Sequence, residues 1–438
     1  MKNLENNQKQ SNMQKVALTA LAGTSIEWYD FFLYGAAAAL IFPTAFFGEM
    51  PPTTALLLSL LTFAAGFIAR PIGGIIFGHF GDKVGRKKTL ISALMLMGIS
   101  STLIGLLPTY AMIGVAAPIL LTSLRFAQGL AIGGQWGGAM LLVTESAPSN
   151  QRGYYGAFAQ AGAPIGVILA NLALIITSAL VSEEFFNTWG WRIPFLASAV
   201  LILISMYIQL NLEDTDAFKA LVNNKGAQSD ENIKKSPVIE AIKKYPKRIF
   251  LAAGAFLSVQ VTFYILIAFM LAYGVTSANM ARDDMLAAVL IASAIMVPIQ
   301  FVFSSYSDRH GRKGIFMLGA VLTGIWAFVI FPLVDTGNFY LIVLAITGGL
   351  VFLAMMYGPQ AAFFTELFST EVRYSGATLG YQFGAIVGGA FAPTIAVKLW
   401  TEFDIIWVSA YIALASLLTL ISVMALTETY QSDLNNTD

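Results

Sequence analysis

The chain contains no cysteine and only two histidines in 438 residues. The missing thiols exclude disulfides, thiol chemistry and cysteine-ligated metals. His79 and His310 lie far apart in two charged turns and cannot by themselves make a metal site. Charge is scarce: 11% of residues are charged, against about 25% in soluble domains. The 25 basic and 25 acidic residues cancel, so no global field draws in nucleic acid. There is no phosphate-binding Walker loop and no nucleophile set beside a base, which argues against an enzyme or an ATP-driven machine. A removable signal peptide is also missing. Residues 1–14 are polar, and the first apolar run exceeds a signal core of about 7–15 residues.

What fills the chain is apolar. Hydrophobic residues make up 57%, and the mean hydropathy is +0.71. A helix needs about 20 apolar residues to cross a bilayer, and in hydrocarbon only helices and closed barrels satisfy the backbone. Runs of that length occur near 15–43, 53–80, 89–108, 112–144, 154–181 and 191–212. Six more lie near 248–276, 284–305, 314–333, 339–366, 374–400 and 404–427. They show no strand-like alternation, so the sequence predicts an all-α membrane protein with twelve spans. The expected organisation is a cytoplasmic tail over 1–14, a six-helix bundle over 15–212 and a cytoplasmic linker over 213–247. A second bundle over 248–427 and a tail over 428–438 complete it. Pro237–Lys244 is expected as a short amphipathic helix. The tail after Thr427 is too short for a coiled coil.

Basic residues set the orientation. With the N-terminus inside, 20 of the 25 Lys and Arg fall on the cytoplasmic side. Only Arg192, Arg282 and Lys398 fall on the other, and Arg70 and Arg125 lie within spans. Both termini are therefore expected in the cytoplasm.

Two motifs recur. Gly78-His79-Phe80-Gly81-Asp82-Lys83-Val84-Gly85-Arg86 returns in outline at Ser304–Lys313, with Asp82, Gly85 and Arg86 matching Asp308, Gly311 and Arg312 at an offset of 226. Glu145 and Arg152, seven residues apart, return as Glu366 and Arg373 at an offset of 221. Such self-similarity predicts two related halves. These turns also carry a gating expectation: Asp82 bonding the N-terminus of a neighbouring helix, and Arg86 pairing with an acid such as Glu145. Arg152, Asp308, Arg312, Glu366 and Arg373 belong to the same group.

The turn at Gly78–Lys88 resembles the signature loop of the major facilitator superfamily, and Ser304–Lys313 resembles its degenerate second copy. Gly23–Phe31, Ala69–Gly74, Arg125-Phe126-Ala127-Gln128-Gly129, Trp189–Phe195 and Glu366-Leu367-Phe368 narrow the resemblance to the metabolite:H⁺ symporters, the shikimate type above all. It covers residues 15–427. It implies two pseudo-symmetric six-helix bundles in a bacterial inner membrane, rocking in alternating access around a midplane site. A small carboxylated metabolite and a proton are the implied cargo of a monomeric carrier without cofactor. A zwitterion carrier, an exporter and an uncoupled facilitator are the alternatives. One position departs from the family: Gln135, after Gly133 and Gly134, stands where glutamate is common. Glutamine keeps the hydrogen bonding but cannot titrate.

Charges inside spans point to function, since each costs about 2.5–3.5 kcal/mol at a helix centre. Glu27, Asp30 and Tyr34 share one helical face. Asp30, with Glu27, is the expected proton carrier; a permanent Asp–Arg pair is the competing structural reading. Arg125 is expected to grip a carboxylate. Arg70 is expected either to do the same or to brace backbone carbonyls freed by Pro71. The expected lining adds Gln135, Trp136 and Gln160 from the first half. The second half supplies Gln260, Tyr264, Gln300, Tyr357, Gln360, Tyr381 and Gln382. Glycines spaced by four at Gly129, Gly133 and Gly137, and at Gly376, Gly380, Gly384 and Gly388, predict close helix contacts.

Overall fold

A computed structural model describes residues 2–84, 86–133, 140, 143–145, 147–213, 237–369 and 373–430. Twelve long helical segments run through them. In the first half these are α1 (Lys2–Leu40), α2 (Pro52–Val84), α3 (Arg86–Leu106), α4 (Ala116–Gly133), α5 (Arg152–Leu180) and α6 (Arg192–Glu213). In the second half they are α7 (Pro246–Thr276), α8 (Arg282–His310), α9 (Arg312–Val334), α10 (Phe339–Glu366), α11 (Arg373–Glu402) and α12 (Ile405–Ala425). Nine of them are long and apolar enough to cross a membrane, and α6 joins them when counted with Glu183–Gly190, from which it bends by 54°. Of the other two, α1 interrupts its apolar run with Glu27 and Asp30, and α3 carries the shorter apolar stretch Ile91–Leu106.

The polar N-terminal stretch, expected as a tail, continues α1 back to Lys2, and it holds no Pro or Gly to stop a helix. Pro237–Lys244 is helical as expected. A further short helix, Phe42–Phe47, follows α1 where the sequence reading ran one span through to residue 43.

Glycine sets which helices touch. A Cβ on Gly129 of α4 would fall on the Gly66 carbonyl of α2, and one on Gly133 would fall on the Arg70 carbonyl. Gly162 and Gly166 of α5 press in the same way on Thr24 and Trp28 of α1. In the second half Gly380, Gly384 and Gly388 of α11 lie against Ala252, Phe256 and Gln260 of α7. Gly35 of α1 in turn lies against Phe63 of α2, so α1, α2 and α4 converge where their charged side chains lie. Gly137 lies outside the described residues.

α7 and α11 each contain a π-helical turn, at Ile265–Phe269 and Ala385–Ala390. Such turns insert a residue into the helix and often mark functional sites. Here Gly389, in the second turn, packs against Phe67 of α2 and Tyr264 of α7.

Candidate functional site

Arg70 and Arg125 are buried to 1% and 0% exposure at the centre of the first half. The Phe31 ring lies between them, 4.4 Å from the Arg70 guanidinium and 4.1 Å from that of Arg125. Arg125 also packs over Tyr34 at 4.2 Å and Phe63 at 4.7 Å. Arg70 packs over Phe67 at 4.3 Å and Trp28 at 5.5 Å. Desolvated cation–π contacts contribute about 2 kcal/mol each, which helps hold two like charges in an apolar interior. On both guanidinia Nε and Nη2 make no hydrogen bond. Arg70 therefore does not brace the backbone near Pro71; its planar head lies among aromatic faces beside the Tyr264 hydroxyl.

Asp30 is buried at 1% exposure. Its Oδ1 accepts a hydrogen bond from the Ser198 hydroxyl of α6, while Oδ2 accepts none. Among the described residues no ion pair forms at Asp30. The permanent Asp–Arg pair considered from sequence is replaced by a relay in which Arg125 Nη1 donates to Gln128 Oε1 at 3.0 Å and Gln128 Nε2 donates to Ser101 Oγ at 2.7 Å. Tyr34 is fixed by a 2.7 Å bond with Thr62 Oγ1. Glu27, one turn before Asp30, is only half-buried.

A small void between the halves adjoins this cluster. It is lined by Trp28, Phe32 and Ala163 from the first half and by Val259, Gln260, Phe263, Tyr264, Tyr357 and Tyr381 from the second. Four of these, Gln260, Tyr264, Tyr357 and Tyr381, were expected. Trp28, Phe32 and Phe263 were missed, since a lone aromatic in a span carries no signal that separates lining from packing. Gln260 Nε2, Gln382 Oε1 and both amide atoms of Gln360 are buried without a hydrogen bond. Gln160 and Gln300 have another place. Gln160 Nε2 donates to the Tyr357 carbonyl at 3.1 Å, and Gln300 Nε2 donates to the Ala157 carbonyl at 3.2 Å, so each ties one half to the other. Gln135 and Trp136 lie outside the described residues.

The charged turns form a second cluster. Asp308, at the end of α8, accepts the backbone N–H of Gly153 and Tyr154 at 2.8 Å each, capping the N-terminus of α5 in the opposite half. This is the contact expected of Asp82, made by its repeat partner. Arg312 Nη1 bonds Asp308 at 2.6 Å, and its Nε and Nη2 grip both oxygens of Glu366 at 3.3 and 3.1 Å. Arg152 Nη1 stands 3.9 Å from the same carboxylate. Arg373 pairs with Glu145 at 3.5 Å across the halves, in the place proposed for Arg86. The side chains of Asp82 and Arg86 lie outside the described residues. Gly311 turns the chain between α8 and α9 at φ +100°, a conformation that favours glycine and accounts for its place in the motif.

The segment after α12 locks onto this cluster. Glu428 accepts the N–H of Arg312 and Lys313 at 2.9 Å each, and the Thr429 hydroxyl donates to Glu366 at 2.9 Å. Burial alone would push the Glu428 carboxyl up, but its backbone N–H donors outweigh that and hold it below the usual carboxylate range.

The sequence profile of the Major Facilitator Superfamily matches residues 20–393. The "Inner membrane metabolite transport protein YhjE" of Escherichia coli (strain K12) is 40% identical over 97% of this chain and 96% of its own length. The "Shikimate transporter" of the same strain is 38% identical over 92% of each chain. A "Proline/betaine transporter", also from that strain, is 33% identical over 91% of this chain and 80% of its own length. In fold, the chain is similar to the proton:xylose symporter XylE bound to 6-bromo-6-deoxy-D-glucose, with a TM-score of 0.72, 17% identity and 98% of each chain covered. With its helical repeat, its buried arginines and these relatives, the chain belongs to the major facilitator superfamily and is a multi-pass membrane transporter.

Proposed function

We propose that the protein imports a small carboxylated metabolite together with a proton, by alternating access in a bacterial inner membrane with both termini cytoplasmic. The observation that carries this reading is the pair of buried guanidinia around Phe31, whose Nε and Nη2 make no hydrogen bond. Guanidinium forks match carboxylates in geometry and charge. Asp30 is the buried acid of α1, in the reading the proton carrier, and Glu27 lies one turn away. Gln260, Gln360, Gln382 and the tyrosines of the second half supply hydrogen bonds to the rest of the cargo. The nearby relatives include a shikimate transporter, in keeping with a hydroxylated acid.

The aromatic lining of the void favours a second reading, a zwitterion. Ring faces hold methylated ammonium groups, and the arginines would take the carboxylate of the same molecule. A proline/betaine transporter among the relatives fits this cargo. The test is uptake of labelled shikimate, glycine betaine and proline into proteoliposomes under an inward proton gradient. Gradient-driven accumulation of shikimate alone supports the first reading, and of betaine or proline alone the second. Accumulation only under the reversed gradient would mean an exporter.

In the cycle, the Asp308–Arg312–Glu366 cluster and the Arg373–Glu145 pair hold the cytoplasmic side closed and separate on inward opening. Asp82, Arg86 and Arg152 take part in the same latch.

A further inference from the structure

The short helix Pro237–Lys244, just before α7, belongs neither to the buried arginine site nor to the latch. Four basic residues crowd its end and the start of α7: Lys243, Lys244, Lys247 and Arg248, against one acid, Glu240. Beyond Arg248 no charge follows until Arg282. The basic group therefore stands at the rim of an apolar span, the level at which a membrane presents its headgroups.

Part of this group is committed to the protein. Arg248 stacks over the Tyr245 ring at 5.0 Å, and its Nη1 donates to the Leu367 carbonyl at 3.1 Å. The Lys244 ammonium lies 5.5 Å from the same ring. Tyr245 meets Phe368 edge-on at 6.1 Å, and its hydroxyl donates to Ser369 Oγ at 3.3 Å. The junction of the two helices is thereby fastened to Leu367–Ser369, directly after Glu366. The rest faces outward. Lys243 and Lys247 are exposed and form no ion pair among the described residues. Ile242 is 46% exposed and Phe250 76%. Phe250 follows Lys247 by three residues, on the same side of α7. It is the one large apolar side chain of α7 that is exposed.

We infer that this face binds the headgroup of an anionic phospholipid, with Lys243 and Lys247 on the phosphate and Ile242 and Phe250 in the acyl region beside it. Exposed apolar side chains rimmed by charge mark an interaction surface, and at the rim of a span the bilayer covers them. Basic amphipathic segments bind a membrane through both terms at once. Lysine takes a phosphate as a point charge, while its aliphatic stem runs along apolar surface. A zwitterionic lipid carries its own ammonium beside the phosphate, so charge complementarity selects a lipid of net negative charge. Because the same junction holds Leu367–Ser369, bound lipid also steadies the chain next to Glu366.

Native mass spectrometry of purified, delipidated protein titrated with phosphatidylglycerol or phosphatidylcholine tests this. Wild type is expected to retain phosphatidylglycerol in preference. In the double variant Lys243→Gln, Lys247→Gln that preference should fall about 30-fold, the scale of two basic residues at an anionic surface. Lys398→Gln, which alters an exposed lysine at the far end of α11, should keep it. Equal retention of both lipids by wild type overturns the inference, and so does an unchanged preference in the double variant. Displacement of the lipid by sodium phosphate, but not by sodium chloride of equal ionic strength, would reveal a soluble-anion site and overturn it too. Both lysines are exposed, so the double variant keeps the fold, and Lys243→Glu with Lys247→Glu should lower retention further.

Discussion

Phe31 decides how two arginines can share one apolar interior. It separates Arg70 from Arg125, with one guanidinium at 4.4 Å and the other at 4.1 Å from its ring. Lysine in place of Arg125 keeps the charge but loses the planar fork, the bond to Gln128 and the stacking on three rings. Arg125→Lys is therefore expected to weaken binding of the transported acid at least 30-fold, about 2 kcal/mol, the low end for a buried charge that loses its partners. Titration calorimetry on purified protein measures it, and wild-type affinity would remove Arg125 from the site. At this scale the sequence was informative where it was unusual. Arg70, Arg125 and Asp30 stood out because a charge inside an apolar run is visible without coordinates. Ser101 and Gln128 did not, being ordinary residues of a helix whose partners come from other spans. Gln160 and Gln300 were read as lining; which way an amide turns at the boundary between halves depends on packing that periodicity does not report.

Helices meet here through glycine, and each seam makes its own prediction. At Gly129 a Cβ would fall on a backbone carbonyl of α2, which has no room to move, whereas at Gly314 it would meet nothing within 4 Å. Gly129→Val is expected to lower stability by about 1–3 kcal/mol through overpacking, and Gly314→Ala to leave it unchanged. Thermal unfolding in detergent compares them, and equal midpoints would refute the seam. At the other end of the chain, Glu428 caps α9. Because its folded pKa is depressed, its stabilisation is present above the usual carboxylate range and fades as pH falls through the lowered value. Glu428→Ala should cost about 1 kcal/mol, the scale of a lost helix cap, at pH 7 and progressively less in acid. Most spans were legible to within a few residues, because length and hydropathy set them, but the start of α1 at Lys2 was not. The π-turns of α7 and α11 were not, since no Pro lies at Ile265–Phe269 or Ala385–Ala390 to announce a break.

The whole molecule is joined along α5 and α8. Asp308 binds the start of α5 at the end proposed to be cytoplasmic, Gln300 and Asn171 bridge the middle at 3.2 Å each, and Ser178 bonds Asp283 at 2.7 Å toward the other end. A rocking carrier must break one end of such a seam while keeping the other. Asp308→Asn leaves a weaker acceptor for Gly153, Tyr154 and Arg312, so the cytoplasmic side should open more often. A cysteine placed at Ala361, which is buried against Gly156 of α5, should then react severalfold faster with a membrane-impermeant maleimide in inside-out vesicles, and an unchanged rate would contradict the latch. The account's central claim is that Asp30 carries the coupling proton. Its most direct test is transport of whichever acid proves to be the cargo in proteoliposomes containing wild type or Asp30→Asn, with and without an inward proton gradient. The account predicts that Asp30→Asn loses gradient-driven accumulation while still exchanging labelled for unlabelled substrate. Accumulation by Asp30→Asn at the wild-type level would contradict it.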